Sequence, residues 1–381
     1  MQALDIVTVD SRPALDAHEA AWNELSTTSS QRAPMLTYAW ISSYLDHRVR
    51  PGERWRVYLA YQDRRLVGVL PLLVSPRRLW RLPYRVARAP YDEHTISVSP
   101  LVADDCADAA LTSLLRAAGA EAGAGALHLE FLRVPQHAPL LAFLDERPLA
   151  VPHLRRFRSH GAYLPAPADF DAYRRGLSRN LRSNLNKAKN KLAALDQVRW
   201  RFLAGADADE RDLAAFMTVE GSGWKGRAGT AINRSPALIE FYTTLTRRLG
   251  RAGLLEWHFL EAAGEPLAAN LAVRLGDRLL LWKLGYNDAY RACSPGSLLM
   301  EELVRRVCER GEVGEIDMMT DWEWYDRWQM QRRDCFDVFV YPRRPLALSG
   351  YAARRLYVRA RRSPALDGAL TRLRELAARH R

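Results

Sequence analysis

The run Leu254-Leu-Glu-Trp-His-Phe-Leu-Glu261, Ala262-Ala-Gly264, Glu265-Pro-Leu-Ala-Ala-Asn-Leu-Ala-Val273 decides the fold. Two β-rich segments flank a short turn ending in Gly, the pattern of a β-hairpin. After the Gly276-Asp277 turn a third run, Arg278-Leu-Leu-Leu-Trp-Lys-Leu-Gly285, extends it into a meander. From Ser297 to Arg310 the residues Leu298, Leu299, Glu302, Leu303, Arg306 and Val307 recur at helical spacing. Val313-Gly-Glu-Ile-Asp-Met-Met319 then reads as a further strand. Meander, crossover helix and strand make an α/β unit.

Two hundred residues earlier the pattern has already occurred once. Arg54-Trp-Arg-Val-Tyr-Leu-Ala-Tyr61 and Arg65-Leu-Val-Gly-Val-Leu-Pro-Leu-Leu-Val74 flank Gln62-Asp63-Arg64, and Gly68 falls opposite Ala268 without a gap. Ala109 to Ala122 has helical composition and precedes the strand Ala126-Leu-His-Leu-Glu-Phe-Leu-Arg-Val134. Repetition of one arrangement predicts duplicated α/β units with mixed, mostly antiparallel sheets flanked by helices. Pro152, Pro165 and Pro167 cluster at the expected boundary. The expected division is an N-terminal, degenerate unit at 1–155, a second unit at 156–345, and an Arg-rich helical tail at 346–381.

Composition narrows the function classes. The chain has 381 residues, 48% hydrophobic and 26% charged, which is ordinary globular composition and more than one typical core holds. The longest apolar run, Leu66 to Val74, is interrupted by Pro71 and falls well short of the roughly twenty residues that span a bilayer. Met1 to Asp5 shows no basic flank and apolar block of the kind that begins a signal peptide. Cys106, Cys293, Cys308 and Cys335 form no CxxC pair, so neither a disulfide framework nor a metal site is expected, and a cytoplasmic location fits.

The net charge of +12 is concentrated. Between Ala172 and Leu195 stand seven basic residues and no acid; from Leu346 to Arg381 nine arginines face two acids. These segments carry +7 each, which leaves the remaining chain near −2. The first reads as an amphipathic helix, because Leu177, Leu181, Leu185, Ala188, Leu192 and Leu195 define one apolar stripe. Its basic faces are either solvated or a collector for an anionic ligand. No recognised DNA- or RNA-binding motif accompanies them, so sequence-specific nucleic-acid reading is not expected. The tail either packs on its own domain or attaches peripherally to an anionic inner-membrane surface.

The strongest local signal lies where the strand Leu279 to Leu284 leads through Gly285…Gly296 into a helix. Ser294 is placed to cap it and Pro295 to open it, with the amides of Gly296 and Ser297 unobstructed at the positive end of the dipole. That arrangement suits a pyrophosphate. No GxxxxGK[ST] or GxGxxG occurs here, which argues against nucleotide hydrolysis and dinucleotide oxidoreduction.

Four segments in order then resemble one family. Glu220-Gly-Ser-Gly-Trp-Lys-Gly-Arg-Ala-Gly-Thr-Ala-Ile232 resembles the Glu…Ser-x-Trp-Lys-Gly…Gly-Thr-Ala segment of GNAT-like acyltransferases of the cellulose-biosynthesis CelD group, relatives of FemAB-like tandem-GNAT transferases. Tyr173 to Leu192, Lys283-Leu-Gly-Tyr-Asn-Asp-Ala-Tyr290 with Ser294-Pro-Gly-Ser-Leu-Leu299, and Ile316-Asp-Met-Met-Thr-Asp321 ahead of Tyr325 and Trp328 are similar to the same group. The resemblance covers about residues 170 to 330. It implies an acyl-CoA donor, acetyl-CoA foremost, lying where two strands splay apart, with its pyrophosphate at Ser294, Gly296, Ser297 and Leu298. Thr320-Asp321 stands where the family commonly has Gly-Asp, and Tyr325-Asp326 where it has Tyr-Lys. The second change reverses a charge near the acceptor.

Acyl transfer needs a base for the acceptor, donors for the oxyanion and an acid for the leaving thiolate. Glu220 is the favoured base, with Trp224 nearby to desolvate it, and Asp321 the alternative. Tyr286 or Tyr325 could act as acid, though either also suits a core position. Lys225 and Arg227 could hold an anionic group, or stand solvated; Lys283, in an apolar strand, is expected to line the cleft. His94, His128 and His258 are better explained by packing. Direct attack within a ternary complex is expected, since no cysteine or serine has an evident partner base. The acceptor would be a small molecule or glycan, such as a sugar or envelope precursor. Two rivals stand beside this: an aminoacyl-tRNA-dependent transferase, and a non-catalytic subunit of a polysaccharide synthase.

Overall fold

The computed structural model describes residues 4–79, 82–121, 126–147, 150–227 and 229–362. Its strands are β1 (Asp5–Val9), β2 (Arg54–Gln62), β3 (Arg65–Leu79), β4 (Leu82–Arg88), β5 (Leu101–Val102), β6 (Ala126–Pro135), β7 (His153–Pro165), β8 (Arg199–Ala204), β9 (Leu255–Ala262), β10 (Glu265–Leu275), β11 (Arg278–Tyr286), β12 (Glu315–Asp317) and β13 (Gln331–Val340). The helices are α1 (Arg12–Asp16), α2 (Glu19–Thr28), α3 (Tyr38–His47), α4 (Ala107–Glu121), α5 (Pro139–Glu146), α6 (Phe170–Gly176), α7 (Arg179–Ala193), α8 (Leu213–Ser222), α9 (Trp224–Arg227), α10 (Pro236–Arg251), α11 (Pro295–Arg310) and α12 (Pro345–Arg362).

These elements sort into two compact units. One comprises Met1–Ser11, Pro51–Phe157 and Phe336–Arg381; the other comprises Arg12–Arg50 and Arg158–Cys335. The division differs from the contiguous one expected at 1–155, 156–345 and 346–381. Helices α1 to α3 belong with the second unit because their apolar and polar faces find partners there. Trp40 packs edge-on against Trp282 at 5.5 Å, His47 bonds Thr244, and Asp46 pairs with Arg248. Helix α12 belongs with the first unit: Gly350 meets Leu127, Tyr351 meets Tyr341, and Arg354 lies over the Phe339 ring. The expected tail beyond Arg362 lies outside the described residues.

In the first unit β1, β2, β3 and β4 pair antiparallel in order, and β6 pairs parallel to β4 after the crossover through α4. The third strand of the first meander, β4, escaped the sequence reading because Pro83, Arg85 and Arg88 blur its alternation. In the second unit β8, β9, β10 and β11 pair antiparallel, and β12 pairs parallel to β11 after α11. The repeat extends to an irregularity. Between Ala60↔Gly68 and Tyr61↔Leu66 the residue Val67 is unpaired; between Leu260↔Ala268 and Glu261↔Pro266 it is Leu267. A bulge at the same place in both hairpins marks a shared backbone plan.

The units differ at the parallel pair. β4 pairs with β6 to its end, through Ala87↔Leu129 and Arg88↔Glu130, and the Ala89 amide continues the ladder to the Glu130 carbonyl. β11 pairs with β12 only at Arg278↔Glu315, Leu279↔Ile316 and Leu280↔Asp317, and Leu281 to Tyr286 run on without it. Just past the last pair β11 carries an extra residue, Trp282, between Leu281↔Ala272 and Lys283↔Leu271. Such a bulge bends its strand, and here the bend coincides with the divergence of the two strands.

The core beneath α7 and α11 follows the sequence stripe. Leu177, Leu181, Leu185, Ala188 and Leu192 are buried against Leu298, Leu299, Leu303 and Val307 and against Leu260, Leu279 and Leu281. Each fully buried leucine contributes about 1.5–3 kcal/mol. The basic stretch forms two helices, α6 and α7, because Ser178 turns to accept the Leu181 amide at 3.2 Å. The opposite sheet face carries Trp257, which packs against Phe216 of α8.

Candidate functional site

The opening between β11 and β12 meets the N-terminus of α11. Ser294 adopts a left-handed conformation (φ 45°, ψ 50°), and its side chain makes no capping bond. Its carbonyl instead accepts the amides of Ser297 at 3.0 Å and Leu298 at 3.1 Å. Three open amides were expected; the tight first turn consumes two of them. Pro295 has none to give, and Gly296 keeps the N–H without an acceptor among the described residues. Leu298 points into the core. The first turn of α11 contains no acid, so the free amide sits in an unopposed positive field.

The Gly-rich segment after Glu220 connects α8 to α10 and closes against the end of β11. A Cβ on Gly285 would sit 3.1 Å from the Glu220 backbone, and one on Gly223 3.1 Å from the Tyr286 carbonyl oxygen. Glu220 is only 2% exposed, and its Oε2 accepts the Ile232 amide at 3.0 Å. Its carboxylate therefore braces the connection it belongs to. Arg227, largely exposed, pairs with Asp288 in the turn that precedes α11. Trp224 and Lys225 fall in the short helix α9, and their side chains lie outside the described residues. Lys283 places Nζ 5.4 Å from the Trp282 ring and 5.8 Å from that of Tyr242, a cation–π environment at the bulge. Trp282 is core, donating Nε1–H to the Tyr242 hydroxyl at 3.2 Å. Tyr286, 37% exposed, ends β11 beside Gly296.

Across the opening, β12 ends on Asp317, which is 6% exposed. Its Oδ1 accepts the Met319 amide at 2.8 Å, and Met319 turns the chain with a positive φ of 51°. The expected strand to Met319 is cut short by that turn. Tyr325 is buried with its hydroxyl 3.1 Å from Thr320 Oγ1. Burial pushes its phenol above the usual value, the Thr320 bond opposes this, and the Asp321 and Asp317 charges add to it. Asp321 accepts from Arg332 Nε at 3.0 Å, and Arg332 also pairs with Asp326. The aspartate at 326 is thus answered by an arginine from the next strand.

Around the α11 end, α7 packs on α11 and on the Asp288–Cys293 turn. Buried Glu301 of α11 accepts Arg174 at 2.7 Å and pairs with Lys189 at 3.0 Å. Arg175, Arg179, Lys187 and Lys191 are exposed, with no ion pair among the described residues. His258, stacked on Phe202 at 4.7 Å and 3.2 Å from Glu256, is a packed core histidine. No group of His, Cys, Asp and Glu among the described residues is arranged to hold a metal, and no helix there is long and apolar enough to cross a membrane.

The structure brings the expected first turn of α11, the Glu220 segment and Tyr325 around the opening together with Asp317, which the sequence reading did not single out. Its signal was an aspartate at the C-terminal end of a short parallel strand, where strand ends commonly border ligands in α/β sheets.

Comparison with known proteins follows this geometry. Residues 179–329 match the family model described as Acetyltransferase (GNAT) domain. Among solved structures the chain is similar to FemX, with a TM-score of 0.58 at 12% identity over 88% of this chain and 97% of that one. It is also similar to the C-terminal domain (DUF2156) of a putative lysylphosphatidylglycerol synthetase from Agrobacterium fabrum (TM-score 0.53, 10% identity, 89% and 96% covered). A conserved protein of unknown function from Bacteroides thetaiotaomicron VPI-5482 is similar at TM-score 0.53 and 11% identity, with 88% and 100% covered. No curated protein matches the sequence. At these identities the structural likeness speaks to fold. Residues 179–329 thus match the model of a GNAT acetyltransferase domain, within a chain of mixed α/β, GNAT-like fold.

Proposed function

We propose that the second unit transfers an acyl group from acyl-CoA, acetyl-CoA foremost, to an amine or hydroxyl of a small-molecule or glycan acceptor, as the CelD-group resemblance implies. The observation that carries this reading is the divergence of β11 and β12 after Leu280↔Asp317, with a free helix-terminal amide at Gly296 beside it. A donor laid in the opening would meet the unpaired edge of β11 along its length and the Gly296 amide at its phosphates. Ser294 and Ser297 shape that turn, and Leu298 anchors it. Tyr286 covers the donor near Gly296. Lys283 lines the opening, and Arg227 faces the acceptor from the α8–α10 connection. Tyr325 keeps its proton at neutral pH and supplies it to the leaving thiolate. Glu220 shapes the connection, since its carboxylate is committed to Ile232.

A thermal-shift titration with acetyl-CoA, followed by thiol release in the presence of amino sugars, tests the reading. Saturable stabilisation with thiol release is expected.

A second reading, transfer from a charged tRNA, is favoured by one observation. The outward face of α7 carries Arg, Lys, Asn and Ser with no acid, and the helix packs on the Asp288–Cys293 turn that leads into α11. Stabilisation by aminoacyl-tRNA and not by acetyl-CoA would select it.

A further inference from the structure

We propose that Asp317 is the carboxylate that takes the acceptor's proton. The assignment rests on the acyl-transfer reading above and adds to it the residue that activates the nucleophile.

Register puts Asp317 at the vertex of the opening. It is the last residue of β12 paired with β11, opposite Leu280. Directly paired residues share a sheet face, so Asp317 lies with Leu280 and away from Ile316 and Leu279, which face the core under α7 and α11. Its backbone therefore borders the point at which the two strands part.

Its bonding leaves it half committed. Oδ1 holds the Met319 amide, and the adjoining amide of Met318 bonds the Ala162 carbonyl at 2.9 Å, so the turn is fixed on both sides. Oδ2 bonds to nothing among the described residues. The sealed orphan atoms of this unit include His258 Nδ1 and Asn270 Nδ2, and Asp317 Oδ2 is not one of them, so it stays accessible. Four other carboxylates around the opening are engaged, and Glu323 is exposed. Glu220 holds Ile232, Asp288 pairs with Arg227, and Asp321 and Asp326 share Arg332. Asp317 alone combines a fixed position, burial and an open oxygen.

The same turn carries the complementary acid. Tyr325 keeps its proton, held on by burial and by the nearby charges of Asp321 and Asp317. In the step, the acceptor nitrogen or oxygen bonds to the thioester carbonyl carbon while Oδ2 takes the acceptor's proton. The carbon–sulfur bond then breaks, and the thiolate takes the Tyr325 proton. Asp317 and Tyr325 return to their starting states by exchange with water. The net change is acyl-CoA plus acceptor to acylated acceptor plus free thiol.

Asp317→Asn tests this, because an amide oxygen still accepts the Met319 N–H while losing basicity. Acetyl-CoA is the binding probe, by calorimetry, and thiol release with glucosamine or water as acceptor is the rate. The variant is expected to bind acetyl-CoA within about twofold of the unaltered chain while thiol release falls at least about 100-fold, the usual scale for a general base. Asp317→Glu should recover part of the rate. Wild-type turnover in Asp317→Asn overturns the assignment. So does a tenfold loss of acetyl-CoA affinity, which would make Asp317 a support for β12, and so does an unaltered chain that binds acetyl-CoA yet releases no thiol. Failure of the unaltered chain to bind acetyl-CoA instead removes the acyl-CoA reading itself.

Discussion

Tyr286 lies against Gly296: a Cβ on that glycine would meet the tyrosine Cβ and Cδ1 at 3.8 Å. The end of β11 and the start of α11 are thus brought together across the turn Asp288–Cys293, and the one free amide of α11 opens at that junction. Contact at this distance is ordinary packing, so a small side chain fits at 296 but a charged one changes the field seen by an anion.

Gly296→Asp separates donor binding from folding. An acid in the first turn of a helix stabilises it by about 0.3–1 kcal/mol, so the melting temperature should hold or rise. Acetyl-CoA affinity should fall at least about tenfold, because the carboxylate faces the same amide as the phosphates. Gly296→Ala should bind nearly as the unaltered chain does. Calorimetric titration of both variants checks this; equal affinity for the Asp variant would remove Gly296 from the donor site.

Gly285→Ala should damage the fold itself. The new Cβ would stand 3.1 Å from the backbone of Glu220 and 3.3 Å from Val219 Cγ1, and helix backbone cannot yield as a flexible side chain does. A loss of about 1–3 kcal/mol is expected from urea unfolding, the scale of overpacking in a core. An unchanged midpoint would show that α8 sits farther from β11 than described.

Alkaline pH should weaken the protein through its buried phenols. Burial raises Tyr325, Tyr173, Tyr61 and Tyr341 above the usual phenol value. Unfolded tyrosines ionise near about pH 10, while these stay protonated in the folded chain. Above that pH the unfolded state binds fewer protons, so stability is constant below it and falls as pH rises further. Tyr325 alone sets a slope of up to about 1.4 kcal/mol per pH unit there. Tyrosinate absorbance with urea unfolding between pH 8 and 11 measures this; ionisation at the ordinary phenol pH would place Tyr325 in water.

The fold was legible where periodicity and turns agree. Val67 and Leu267, the bulged residues of the two hairpins, stand 200 positions apart as the ungapped match of Gly68 with Ala268 requires. The α7 stripe was legible because four of its members, Leu181, Leu185, Ala188 and Leu192, face one core. Helices α1 to α3 were illegible as part of the second unit, since their partners Thr244, Arg248 and Trp282 are some two hundred residues away in sequence. At the site, the glycines near Glu220 were read as a cleft border. They also serve close backbone approach, as Gly223 to Tyr286 and Gly226 to Gly221 show. Ser294 suggested a side-chain cap, and its left-handed backbone made the carbonyl do that work. Asp317 was overlooked because its meaning comes from the rung at which two strands part, which no residue pattern records.

The central claim is that the parted strands of the second unit hold an acyl donor, and that the first unit, whose β4 stays paired with β6 to its own end and whose α4 carries Asp108 in its first turn, does not. Isothermal titration of the full chain with acetyl-CoA tests it most directly. One saturable site per chain, weakened by Gly296→Asp, is the predicted result. No heat at any concentration, or two equivalent sites, would contradict it.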